Sequence, residues 1–284
     1  MKKTLLFGMT LGSAVLVAAC GETATVEDDT TKKSELTLEE VYEKTLERQQ
    51  EMKSAKADIE VEQNIDVAMD GETAQINTFS DLTMEMVVDP IQLHAKGETK
   101  FVDSASGEEM SMPTEMYMTE ADGFFINQEM MGGWFKMPAD EFDVMMNQAG
   151  MQADASEQLR QLEQFVEDFT FEQDDDQYIL TLEAEGDKFL QFVLDQAKST
   201  LGSTAEDMTA SMEDMTINEA KYTLYIDKET FNLENMNMDL VMTMAAEGET
   251  LKLNQSTTAD YSKFDTIDAI TIPQDVIDSA QALE

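Results

Sequence analysis

The chain's single cysteine, Cys20, directly follows Val17-Ala18-Ala19 and closes a short apolar run that begins after Lys2 and Lys3. Its chemistry is that of a nucleophilic thiol presented behind small residues. Met1-Lys2-Lys3 forms a positive start, Leu5 to Ala19 an apolar segment too short to span a bilayer, and Ala18-Ala19 a narrow cleavage site, which together spell a bacterial lipoprotein signal with its lipobox. Cleavage before Cys20 would leave the thiol to carry a diacylglycerol and the new amino group to accept a further acyl chain. Two such chains anchor stably where one would not. The competing reading is an ordinary secretory signal with an incidental cysteine.

Methionine is the second unusual feature: removing Met1 and Met9 from the 23 in the chain leaves 21, many in alternation. Met84 and Met86, Met116 and Met118, and Met236, Met238, Leu240, Met242 and Met244 each fall on one face of a strand. Flexible thioethers repack around acyl chains of differing length, so these residues are candidate lining for a lipid-binding cavity. The same pattern also serves an ordinary core in which methionine replaces leucine, and thioethers are ligands for soft Cu(I). His94, the only histidine, sits on the polar side of its strand between Leu93 and Ala95, and is expected to be solvated. No G-x-S-x-G elbow accompanies it, and carboxylates are too numerous for any pair to stand out as an acid–base couple. Asp174-Asp175-Asp176 lacks the rest of a calcium loop and reads as a solvated turn, and Gly132-Gly133 before Trp134 reads as a hairpin turn rather than a phosphate cradle. No catalytic residue, cofactor or metal is therefore assigned, and the chain is expected not to be an enzyme.

The elements that position these residues follow from periodicity. Gly21 to Glu35 is polar and aperiodic, a tether reaching at most roughly 50 Å extended and about 20 Å as a coil. Thr37-Leu38-Glu39-Glu40 is a capping-box pattern, and Leu38, Val41, Tyr42, Thr45 and Met52 then predict an amphipathic helix over 37–54. From Ala57 the period becomes 2, giving a long strand, a hairpin at Asp70-Gly71, a return through Val88, and further strands at 91–101, 110–119, 124–128 and 134–137. Helical spacing returns in 140–148, in 156–168 with Leu159, Leu162 and Phe165 in its stripe, and in 188–201. Strands occupy 169–172, 178–184, 222–226, 233–246 and 251–261, and Ile270-Thr271-Ile272-Pro273 leads into a final short helix. Antiparallel strands longer than ten residues with one apolar face require a cover, and the helices are the available cover.

Without residues 1–19 the chain has 265 residues, enough for one large domain, with 16 basic against 60 acidic side chains and so a net charge of −44. Such a surface repels nucleic acid and anionic headgroups. It suits a salt-rich milieu, where the Debye length falls from about 8 Å to about 3 Å, and equally a secreted protein kept soluble by charge. With Cys20 acylated no disulfide is available, so packing alone holds the fold.

Leu224-Tyr225-Ile226-Asp227-Lys228-Glu229-Thr230 and the alternation from Leu233 to Met244 resemble the strand, D-x-x-T turn and return strand of LolA-like and LppX-like lipoproteins. The ending Ile270-Thr271-Ile272-Pro273 with Val276 and Ala280 is similar to that of Gram-positive lipoproteins of the same broad group. The resemblance implies an α+β fold, a long curved antiparallel half-barrel whose concave face is covered by helices and carries lipid, and it carries over no catalytic residue. The expected organisation is a signal peptide at 1–19, a lipidated cysteine and acidic tether at 20–36, and a single domain at 37–284. The expected protein is a lipid-anchored extracytoplasmic lipoprotein that binds a lipid or other hydrophobic ligand and no nucleic acid. The other expectation is a non-enzymatic envelope interaction protein with a self-filled core.

Overall fold

Thr37 and Glu40 cap the first helix reciprocally: the Glu40 N–H donates to Thr37 Oγ1 at 3.2 Å and the Thr37 N–H donates to Glu40 Oε2 at 2.9 Å. The helix, α1 (Leu38–Glu51), runs a little shorter than its periodicity predicts and buries Leu38, Val41, Tyr42 and Thr45. The structure, a computed structural model, describes residues 25–26, 34–69, 72–104, 106–128, 132–137, 159, 162–184, 190, 215–246 and 249–282. Cys20, the signal segment, Asp70-Gly71 and the helices expected over 140–148 and, save Leu190, 188–201 lie outside these residues.

Strands follow in chain order as β1 (Thr25–Val26), β2 (Ser54–Met69), β3 (Glu72–Val87), β4 (Gln92–Asp103), β5 (Glu109–Thr119), β6 (Gly123–Gln128) and β7 (Gly133–Met137). After them come β8 (Phe169–Gln173), β9 (Gln177–Ala184), β10 (Met215–Asp227), β11 (Leu233–Ala246), β12 (Glu249–Ser262) and β13 (Gln281–Ala282), with a second helix, α2 (Gln274–Ser279), just before the last. All join one open, curved sheet in the order β1-β8-β9-β10-β11-β12-β2-β3-β4-β5-β6-β7-β13. Two meanders are thus fused where β12 pairs antiparallel with β2, Ala259 opposite Ile59 and Leu253 opposite Ile65. Such pairing of chain-distant strands leaves no mark in local alternation.

Three features depart from the sequence reading. The segment read as helix over 156–168 ends in a 3-10 turn, Glu163–Asp168, that delivers Phe169 straight into β8. Strand β10 begins at Met215, seven residues before Tyr222, because a register shift between Ile217 and Glu219 breaks the alternation. The tether is not wholly irregular, since Thr25 and Val26 pair in parallel with Glu172 and Gln173 on the β8 edge. At the opposite edge β13 pairs in parallel with β7, so each sheet edge ends in a two-residue strand. Short strands of this kind blunt edges that would otherwise template further pairing.

Residues opposite one another across a ladder share a face, so the register divides the sheet cleanly. One face carries Phe171, Leu180, Leu224, Met236, Ala259, Ile59, Leu82 and their neighbours, and α1 packs on its β8–β11 end through Leu38, Val41 and Tyr42, together with Leu159, Leu162 and Phe165. The other face is polar along β2, β12 and β11 but turns apolar near β5–β7. There Ile270, Ile272 and Val276 cover Val87, Tyr117, Phe125 and Trp134. The terminal strands are therefore buried on both sides, which is why Tyr117-Met118, Phe124-Phe125 and Trp134-Phe135 do not alternate in polarity.

Candidate functional site

Along β11, Met236, Met238, Leu240, Met242 and Met244 all stand on the face that α1 touches, and they lie opposite Ala259, Thr257, Gln255, Leu253 and Leu251 of β12. Met84 and Met86 on β3 face Ala95 and Leu93 on β4, which in turn face Met116 and Met118 on β5. The nine residues singled out by alternation therefore share one continuous face, in two groups three strands apart, or roughly 14 Å. The groups differ in depth. Met118 is 2% exposed and packs with Leu93, Ala95 and Phe124, whereas Met84, Met86, Met116, Met236, Met238, Leu240, Met242 and Met244 are half-buried.

Burial decreases toward the hairpin tips. Where β2 and β4 begin, Ala57, Ala95 and Leu93 are buried, while toward the hairpin tips of the same face Ile76 is 41% and Met110 51% exposed. Met112 shares that region, as do Ile65, Val67, Phe101, Leu251 and Leu253. Met110 and Met112 carry the same M-x-M spacing as Met116 and Met118 and stand on the same face, so alternation marks them too as candidate lining. The face is also poorly hydrated where it is covered: burial pushes the Tyr222 and Tyr261 hydroxyls above their ordinary pKa, and burial with the Glu163 carboxylate does the same to Tyr42. The Tyr42 hydroxyl donates to the Leu159 carbonyl.

A groove of about 460 Å³ lies on the opposite, polar face, bordered by Glu62, Asn64, Asn77, Phe79, Asp239 and Asn254. That groove lies on the face opposite the one expected to hold a ligand, whose β8–β11 part is packed against α1.

His94 is not simply solvated. Its ring stacks on Tyr117 with centroids 4.2 Å apart and lies 3.2 Å from Glu115, whose carboxylate also meets Lys96 at 3.3 Å. Burial raises the Glu115 pKa, but hydrogen bonds from His94 and Lys96 outweigh it, so the carboxyl lies below its usual range. In the acidic turn, Asp174 Oδ1 accepts the N–H groups of Asp176 and Gln177, and Lys228 Nζ donates to the Asp174 carbonyl, so an ammonium already occupies that loop. The D-x-x-T turn owes its shape to Asp227, whose Oδ1 accepts the Thr230 N–H at 2.7 Å and hydroxyl at 2.6 Å. Among the described residues no three His, Cys, Asp or Glu side chains converge as a metal set, and no helix is long and apolar enough to cross a membrane.

The arrangement defines a protein built on one long open antiparallel sheet with one largely apolar face. The chain belongs to DUF6612, a family of unknown function, which matches residues 37–281. No curated protein matches it. Among solved structures it is similar to a DUF1329 family protein from Desulfovibrio piger, at 9% identity over 82% of this chain and 95% of that one, with a TM-score of 0.22. It is also similar to a beta-barrel-like protein of domain of unknown function DUF1849 from Brucella abortus, at 9% identity over 75% of this chain and 99% of the other, with a TM-score of 0.18.

Proposed function

We propose that this protein is a lipoprotein held at the extracytoplasmic face of the bacterial cell membrane by an acylated Cys20, and that its apolar sheet face binds a lipid or another hydrophobic molecule without catalysing a reaction. One observation carries the binding half of this reading. The face carries two apolar clusters between β8 and β7, is covered by α1 on its β8–β11 part, and at its hairpin tips leaves Ile76, Met110 and Met112 open to a ligand. Exposed apolar surface on this scale is costly in water and marks binding sites. Anchoring rests on the lipobox residues alone.

Native mass spectrometry of the chain from residue 21 onward, produced in its host, should show a bound hydrophobe that organic extraction releases. Protein that carries none would sink the binding reading. For the anchor, Cys20→Ser should move the protein from the membrane fraction to the medium or leave it unprocessed, and unchanged lipid-modified retention would remove Cys20 from its role. The interaction-protein reading is favoured by a different observation, the close packing of Met118 with Leu93 and Phe124. It expects the extracted protein to be empty and a protein partner to co-purify.

A further inference from the structure

The apolar face is crossed by a polar belt. One cross-strand row holds Gln255 on β12, Gln63 on β2 and Thr78 on β3, and the next holds Thr257, Ser80 and Thr99, with Val61 of β2 between Thr257 and Ser80. Gln63 Nε2 donates to Gln255 Oε1 at 2.8 Å, Gln255 Nε2 donates to Thr257 Oγ1 at 3.1 Å, and Ser80 and Thr99 hydroxyls lie 3.0 Å apart. Rows on both sides return to hydrocarbon, with Leu253, Ile65 and Ile76 beyond the glutamines and Ala259, Ile59 and Leu82 beyond the threonines. The belt spans about 7 Å along the strands, the distance between successive residues on one face.

Positive charge is missing from this surface. Among the described residues of the strands from β11 to β5, no lysine or arginine stands at a register position of this face, and its acidic positions, Glu72, Asp103 and Glu249, all lie at strand ends. Lys56, Lys96, Lys100, Lys221 and Lys252 all stand at register positions of the opposite face. A phosphate or carboxylate brought onto these strands of the apolar face would meet no cation among the described residues there, and an unpaired buried charge is strongly disfavoured. An ester, amide or hydroxyl needs only a hydrogen-bonding partner when it leaves water, and the belt supplies carboxamides and hydroxyls at mid-face.

We propose that the ligand is an uncharged amphiphile whose ester, amide or hydroxyl group lies against the Gln63–Gln255–Thr257 belt while its hydrocarbon extends along the methionine-bearing rows to either side. This rests on the lipid-binding reading and specifies its ligand class.

The test is a competition monitored by native mass spectrometry, with the full chain in detergent micelles and equimolar dioleoylglycerol, dioleoylphosphatidylglycerol and squalene. These probes share bulk hydrocarbon and differ in carrying a neutral ester group, an anionic headgroup or no polar group. Dioleoylglycerol should win over each competitor by at least about tenfold, a difference of about 1.4 kcal/mol. In the double variant Gln63→Leu, Gln255→Leu the preference over squalene should collapse, with the strand circular dichroism retained. Phosphatidylglycerol binding as well as its neutral counterpart overturns the proposal, as does a preference that survives in the folded variant. Squalene binding equally to the unaltered chain also overturns it while leaving the lipid-binding reading in place. Binding of none of the three overturns both.

Discussion

Asp265 gathers the chain end onto the first helix. Arg48 Nη2 donates to its Oδ2 and the Lys53 N–H to its Oδ1, both at 2.7 Å, and its own N–H donates to the Ser54 carbonyl at 2.8 Å. It does this at φ 56°, a left-handed conformation that aspartate tolerates better than most residues. Burial pushes its carboxyl upward, but the Lys53 N–H and the Arg48 guanidinium outweigh that and hold it below the usual carboxylate range. Asp265→Asn should cost about 1 kcal/mol at neutral pH, read from urea unfolding. Because the folded pKa is depressed, the advantage of the unaltered chain over the variant is complete above the ordinary carboxylate value of about 4 and shrinks as pH falls through the depressed one. A gap between the two that is constant down to pH 2 would show that the charge contributes nothing. Nothing in the sequence around Lys263-Phe264-Asp265 announces this role, since its partners lie more than two hundred positions earlier.

The β3–β4 ladder depends on having no side chain at Gly97. A Cβ there would fall 2.0 Å from the Asp81 carbonyl oxygen and 2.9 Å from Leu82 Cα, both backbone atoms that cannot swing aside. Gly97→Ala should destabilise the protein by about 3 kcal/mol through forced separation of the two strands, checked by urea denaturation together with loss of hydrogen-exchange protection in β3 and β4. Equal stability of the variant would mean that the strands part without cost. Elements of this kind were legible to different degrees. The capping box at Thr37 and Glu40 and the strict alternation of β2, β3 and β11 placed those elements within a few residues, because local hydrogen bonding and a one-sided cover write themselves into period and cap. The two-residue edge strands have no period to read, the shift near Asn218 erased one, and the apolar cover on the polar face depends on Ile270, Ile272 and Val276 clustering with the chain-distant Val87, Tyr117 and Phe125.

At the scale of the whole molecule the two faces carry opposite burdens. The polar face concentrates carboxylates such as Asp58, Glu60, Glu62 and Asp66 on one strand, and the ion pairs Lys56–Asp58 and Lys263–Glu85 neutralise only part of them. With a formal net charge of −42, self-repulsion should be relieved when salt rises from 0.1 to 1 M and the Debye length falls from about 10 Å to about 3 Å. The thermal midpoint should rise by about 3 °C or more over that range, measured by circular dichroism, and a flat response would indicate that the charges are too dispersed to matter. The apolar face was legible as a set of residues, since all nine proposed positions fell on one side. Its belt was not, because a search for apolar alternation treats Gln63, Thr78 and Gln255 as interruptions rather than as a row that only register can assemble. The pairing of Thr25–Val26 with the β8 edge bears on the membrane as well. With Cys20 acylated, four residues, Gly21 to Ala24, would join the anchor to that edge, five steps of chain and so a leash of at most roughly 18 Å rather than 50 Å. So short a leash makes contact with the leaflet an intramolecular event, with an effective concentration in the millimolar range, and a sheet face of only modest intrinsic affinity would then stay occupied.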